Sequence, residues 1–284
     1  MILKSVLLHL YYSFPLVYFF SFLYLTTGRQ PWSLGYLAYR HLQVVKAINN
    51  PKSIGSKNNG FGLDERIIEY PWVITHLTQG PAHILDAGSF LNFDYILQHP
   101  IFKDKKIIIA NLNPEFPNYN NHSIGYLYQN YGDLRKLPLI DSLFDLIICG
   151  SVLEHIGLDN TKTYTNNQIY NEKKDSDYIL VLKEFRRLLK PGGTCLVTVP
   201  YGKHNNYGWM QQFDQKMIKG ITKIFDSSSV TIYRYTNNGW QLSTLKESSN
   251  CQNFDYKCHP ITQVKKQAAS EAIACIELHR KNNE

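Results

Sequence analysis

An α/β fold built on a mostly parallel, doubly wound sheet is predicted by three observations. After about residue 60, short apolar runs alternate with stretches of helical periodicity. Two of those runs, Lys106–Ala110 and Phe144–Gly150, are continuously apolar but for Lys106 and Asp145, as strands covered on both faces are. Glycine or Pro-Gly-Gly stands at the run ends, where a chain must turn. With 284 residues and 44% apolar content the chain has enough hydrophobic material for a full core, and 19% charged residues exclude a highly charged, disordered polymer. Five dispersed cysteines, an odd number, argue for reduced thiols in a cytoplasm-like compartment rather than a disulfide scaffold. A net charge of +7 favours contact with anionic surfaces. No internal repeat interrupts this pattern.

Ser5 to Gly28 contains no Asp, Glu, Lys or Arg. As a helix its 24 residues would measure ~36 Å, against a bilayer core of ~30 Å. His9, the hydroxyl side chains and Pro15 dilute it, and Pro15 is expected to kink or break a helix. Membrane contact through residues 5–28 is the expectation, spanning or lying in the interface. The cations Arg29, Arg40, Lys46, Lys52 and Lys57 downstream would keep the bulk of the chain on the cytoplasmic face. Ser33–Ile48 reads as an amphipathic helix, and Asn49–Gly62 as a linker. Residues 1–60 thus form a hydrophobic N-terminal segment, and 61–284 the main domain.

Within that domain, Leu63–Leu77 reads as a helix interrupted by Pro71. Strands follow at His83–Leu85, Lys106–Ala110, Ser123–Tyr128 and Phe144–Gly150. Tyr178–Leu189 is a helix stopped by Pro191-Gly192-Gly193, and Thr194–Pro200 is the fifth strand. A helix at Gln212–Phe225 and strands at Val230–Tyr235 and Ala272–Leu278 complete a seven-stranded sheet with helices on both faces. In such sheets ligands bind beyond the carboxyl ends of the strands, so the residues just after each strand carry the functional expectation.

After the first strand stands Asp86-Ala87-Gly88-Ser89. Gly88 opens backbone N–H groups to a ligand, and Asp86 repels a phosphate but attracts an amine or a sulfonium. That, together with the absence of a G-x-G-x-x-G, disfavours a nicotinamide oxidoreductase. Asn111 follows the second strand where a side chain can bond ribose hydroxyls, and Asp133 precedes the fourth where a carboxylate can accept from an exocyclic amine.

The series ILDAGS, GDLRKLP, FDLIICGSVLEHIG and LLKPGGTCLVTVP resembles the class I S-adenosylmethionine-dependent methyltransferases, in the broad type 11 group that includes quinone-biosynthesis enzymes. The additional GLDERIIEYPW, GSFLN, LEHIGLDNT, TVPYG and GW elements resemble a bacterial subgroup associated with surface-glycan assembly. The resemblance runs from about Gly62 to the C-terminus. It implies a Rossmann-like fold, S-adenosylmethionine as cofactor, and a methionine-binding site at Asp86, Gly88 and Ser89. Asn111 falls at the ribose position, Asp133 meets adenine, and Leu134, Cys149 and Gly150 line the adenine pocket. Phe90 and Asn92 replace two of the usual glycines, and Glu115 is close enough in sequence to supply the ribose carboxylate that Asn111 lacks.

Methyl transfer asks a protein mainly for alignment and exclusion of water, and from an oxygen acceptor also for a base. His155 is the candidate base, with Glu154 beside it. The related E-x-x-E-H metal motif has lost its first carboxylate to Ser151, so no metal is expected; Cys251, Cys258 and His259 lack zinc spacing. Asp159, Tyr201, His204, Trp209 and Gln212 are candidates to line an acceptor pocket, suited to a small-molecule, glycan or lipid-linked acceptor and not to nucleic acid. The polar stretch Asp159–Asp177 is expected to form a lid. A scaffold that binds the cofactor without turnover is the competing reading, motivated by Phe90, Asn92 and Asn111.

Overall fold

The computed structural model describes residues 15–27, 33–56, 59–115, 123–252 and 270–282. It divides into two compact units, one running to Thr75 and taking back Tyr235–Gln241, the other made of His76–Arg234, Leu242–Asn253 and Ser270 onward. The division therefore falls after Thr75 rather than within the 49–62 linker.

The first unit contains helices α1 (Leu16–Thr26), α2 (Leu34–Asn49) and α3 (Arg66–Thr75). Pro15 does not kink α1; the helix starts just after it, as proline permits where a first turn needs no N–H bond. Ser33 caps α2, its hydroxyl accepting from the Tyr36 N–H. The part of the apolar N-terminal stretch before Pro15 lies outside the described residues, as do Cys258 and His259. Among the described residues no helix is long and apolar enough to cross a membrane. Helix α3 carries Pro71 inside it and is buried over most of its length. Trp240 is fully buried and donates its indole N–H to the Leu63 carbonyl, so the GW element and the start of GLDERIIEYPW meet in this unit.

The remaining elements are β1 (Ala82–Ala87), α4 (Asp94–Leu97), β2 (Lys105–Asn111), β3 (Ile124–Tyr128), β4 (Phe144–Gly150), α5 (Tyr178–Leu188), β5 (Leu189–Pro200), β6 (Asn205–Asn206), β7 (Gln211–Gln212), α6 (Gln215–Thr222), β8 (Ser227–Thr236), β9 (Gly239–Ser243) and β10 (Ala272–His279). The sheet has eight strands rather than seven, in the order β3-β2-β1-β4-β5-β10-β8-β9, and β6-β7 form a separate ribbon. The eighth strand, β9, is the one the sequence reading lacked. Gln212 belongs to β7, which shortens the helix expected from that residue to Gln215–Thr222. Strands β1 to β5 pair in parallel, whereas β10 runs antiparallel to both β5 and β8. This is a Rossmann-like α/β fold, and its order reverses between β1 and β4.

Pro191-Gly192-Gly193 ends α5 as expected but lies within β5 instead of before it. The ladder jumps from Phe144↔Leu189 to Leu146↔Thr194, so these residues bulge out of register, with Gly192 at φ +76°. Beneath the sheet, Leu85, Ile147, Phe185 and Val197 belong to one continuous buried cluster with Leu134 and Cys149.

Candidate active site

The first group of side chains surrounds the carboxyl ends of β1, β2 and β3. Asp86 is completely buried, and its carboxylate accepts the N–H groups of Phe90 (2.9 Å) and Leu91 (2.8 Å). Its charge therefore shapes the loop after β1 from within. Ser89 stands in the left-handed region at φ 64° and donates its hydroxyl to Glu115. The side-chain amides of Asn92 (3.1 Å) and Asn111 (3.0 Å) donate to the same carboxylate. Tyr128 donates to the Glu115 carbonyl (2.9 Å), and Tyr126 stacks on Tyr128 at 5.6 Å. Burial, reinforced by neighbouring Tyr126, pushes the Tyr128 hydroxyl up to about 12. Burial and then the charges of Asp86 and Glu115 raise Tyr126. Three donors thus converge on one exposed carboxylate at the mouth of the sheet.

The glycines here make room for the chain's own side chains. A Cβ on Gly88 would lie 2.3 Å from Val152, and one on Gly150 2.3 Å from the Phe90 ring, itself 3% exposed. The backbone at Gly150 is therefore covered by Phe90. Leu134 and Cys149 are buried in the same cluster, and burial raises the Cys149 thiol far out of the reactive range. Asp133 is gripped by Arg135, whose Nε and Nη2 approach its two oxygens at 3.0 and 2.9 Å. Arg135 also binds Glu172 and Asp177, both at 2.8 Å, so Asp133, the expected adenine contact, is tied through it to the segment before α5.

The second group follows β4. Ser151, at φ 53°, donates its N–H to the Thr198 carbonyl and hydroxyl, fixing the strand exit. A single 3-10 turn, Leu153–His155, then presents His155. Its Nδ1 lies 3.0 Å from the Trp209 carbonyl, its Nε2 3.1 Å from the Tyr164 hydroxyl and 4.0 Å from Glu154 Oε1. The imidazole stacks on the Trp209 ring at 5.2 Å. Asp159 accepts from the Thr161 N–H and hydroxyl, and its own N–H donates to the Gly208 carbonyl. The Gln211 side chain donates to the Asp175 carbonyl at 2.6 Å. The Asn206 amide donates to the Asp175 carboxylate at 3.4 Å, so three bonds stitch the expected lid to the β6–β7 ribbon. His204 is tied by Nδ1 to the Gln212 carbonyl (2.9 Å).

Two expected acceptor residues point elsewhere. Tyr201 is fully buried, with its hydroxyl on the Leu245 carbonyl. Gln212 is equally buried, donating to the Cys251 carbonyl. Both are taken up by the packing against Leu245 and Cys251. Asn92 was read only as a replaced motif glycine, and Tyr126, Tyr128 and Tyr164 were not among the expected site residues, since none of the three sits in a spacing pattern that marks it. Among the described residues no group of three His, Cys, Asp or Glu is placed to hold a metal ion.

Residues 111–197 match the protein family described as a methyltransferase domain. No curated protein matches the chain. Among solved structures the chain is similar to the Burkholderia thailandensis 1,6-didemethyltoxoflavin-N1-methyltransferase with bound 1,6-didemethyltoxoflavin and S-adenosylhomocysteine, at 14% identity and a TM-score of 0.46, covering 87% of this chain and 89% of that one. It is similar to the [4+2]-cyclase SpnF at 12% identity and a TM-score of 0.49, over 87% and 97% of the two chains. A third likeness is to the Haemonchus contortus phosphoethanolamine N-methyltransferase 2, at 12% identity and 0.47, over 75% of this chain and 52% of that one.

Proposed function

We propose that the protein is an S-adenosylmethionine-dependent methyltransferase that acts at an oxygen of a small-molecule, sugar or lipid-linked acceptor of the cell envelope. The observation that carries this reading is the Glu115 carboxylate, set among Ser89, Asn92 and Asn111 where two central strands end. A ribose diol needs an acceptor carboxylate at that place, with amides beside it for its oxygens, so the donor set fits an adenosyl group. The methyltransferase-domain match over residues 111–197 supports the reaction class.

When bound, the cofactor supplies an electrophilic methyl group. The chain's own contribution is to orient the acceptor and to hold its proton. The Trp209 carbonyl can only accept, so it keeps the proton on His155 Nδ1, which leaves the Nε2 lone pair as the basic site. Stacking on Trp209 fixes the plane of the ring.

Millimolar S-adenosylhomocysteine is expected to raise the melting temperature, and Glu115→Gln to remove most of that rise. Asp86→Ala is the poorer variant, because it releases the loop N–H groups. An unchanged melting temperature in the wild type refutes the reading. Labelled methyl transfer into lipid and glycan fractions of the source cell identifies the acceptor class.

A cofactor-binding scaffold without turnover is favoured by one feature, the Phe90 ring lying over Gly150. Binding of S-adenosylhomocysteine with no labelled product in any fraction would establish it. The exposed apolar residues of α1, Tyr18, Phe19, Phe22 and Leu25, support attachment to the cytoplasmic face of a membrane, where a lipid-linked acceptor would be met.

A further inference from the structure

The aromatic side of the candidate site holds a hydroxyl that no motif announces. Tyr164 lies in a π-helical turn, Thr161–Thr165, and is 38% exposed, whereas the His155 side chain behind it is 15% exposed. The Tyr164 hydroxyl is 3.1 Å from His155 Nε2. With Nδ1 protonated toward the Trp209 carbonyl, the neutral ring can only accept at Nε2, so the phenol donates. Phenol, imidazole and the Trp209 carbonyl thus form one hydrogen-bonded chain. Glu154 Oε1, 4.0 Å from Nε2, is the anion beside it. Tyr164 is the more exposed of the two side chains.

We infer that Tyr164 is a further catalytic residue, whose hydroxyl takes the acceptor's proton as it passes its own to His155. This rests on the methyltransferase reading above. In the step, an acceptor oxygen lone pair forms the bond to the methyl carbon while the carbon–sulfur bond breaks, its electron pair remaining on sulfur. The acceptor's O–H proton moves to Tyr164 Oη, and the Tyr164 proton moves to His155 Nε2. Tyr164 ends neutral, and His155 ends as an imidazolium with Nδ1–H on the Trp209 carbonyl and Glu154 offsetting its charge. A tyrosine that merely pinned the turn would contribute nothing to this transfer.

The test combines Tyr164→Phe, His155→Gln and the double variant. Each is measured by calorimetry with S-adenosylhomocysteine and by labelled methyl transfer into an envelope extract of the source cell. S-adenosylhomocysteine affinity is expected to match the wild type in all three. Turnover is expected to fall ~100-fold in Tyr164→Phe, and the double variant to lose no more than His155→Gln alone, because residues acting as a unit are not additive. A wild-type rate in Tyr164→Phe, or losses that multiply in the double variant, overturns the assignment. Wild-type protein that binds S-adenosylhomocysteine but labels nothing also overturns it and leaves cofactor binding standing. Wild-type protein that does not bind S-adenosylhomocysteine removes the methyltransferase reading itself.

Discussion

Ser89 and Ser151 adopt positive φ values at the exits of the two strands that flank the reversal in sheet order. A non-glycine residue in that region persists only when its surroundings over-determine it. Here the Glu115 carboxylate holds one, and Thr198 holds the other. Between these two exits, Phe90 and Gly150 form a close pair that can be tested directly. Phe90→Ala is expected to cost ~3–5 kcal/mol by opening a cavity. Gly150→Ala is expected to cost ~1–3 kcal/mol, since its Cβ would press on the ring. The double variant should cost less than the sum, because without the ring the new methyl group has room; urea unfolding of the four proteins measures the cycle. The sequence located Asp86, Gly88 and Glu115 at this mouth, because strand ends and short-range spacing are local properties. It could not disclose that Phe90 folds back over Gly150, nor that Arg135 takes Asp133, since both depend on partners brought near by folding.

Helices α1 and α2 approach closely at Gly35, where a Cβ would lie 2.8 Å from Tyr24 Cβ. That contact, with Tyr24 stacked on Tyr39, buries one side of α1 and leaves Tyr18, Phe19, Phe22 and Leu25 outward. Eleven residues rise only ~16 Å, about half a bilayer core, so the described helix suits an interface and not a span. Co-flotation with anionic vesicles is expected for the intact protein, with loss of flotation in Phe19→Ser/Phe22→Ser. Retention of binding by that variant would remove the role of this face. At the start of α3, burial and then the charges of Asp64 and Glu69 push Glu65 from 4.5 up to about 8. The folded state then holds this proton more tightly than the unfolded chain. Stability from Glu65 is full below pH 4.5 and is lost as pH rises through about 8. Glu65→Gln is expected to flatten that loss, which melting temperatures at pH 5 and pH 8 would register as a gain confined to the higher pH. Helix α2 and most strands were legible from periodicity. The beginning of β5 was not, because Pro191-Gly192-Gly193 ends a helix and bulges a strand with the same residues.

Across the molecule, the alternation of apolar runs and helices was enough to anticipate the parallel half of the sheet, since each β-α unit leaves its own sequence period. The antiparallel half was less legible. Ala272–Leu278 reads simply as a strand, and nothing local says that β10 lies between β5 and β8 or that Gly239–Ser243 extends the sheet. The division of the chain was likewise hidden, because Tyr235–Gln241 rejoins the first unit through long-range contacts such as the Tyr235 hydroxyl accepting from the Gly62 N–H. The position of β10 has a consequence for how the protein is made. Among the described residues every other strand precedes it in the chain, yet it lies between β5 and β8 inside the sheet. Until it arrives, β5 and β8 each present a bare row of hydrogen-bonding groups, the kind of template on which nascent chains stick to one another. The entry of β10 therefore closes two open edges in one event.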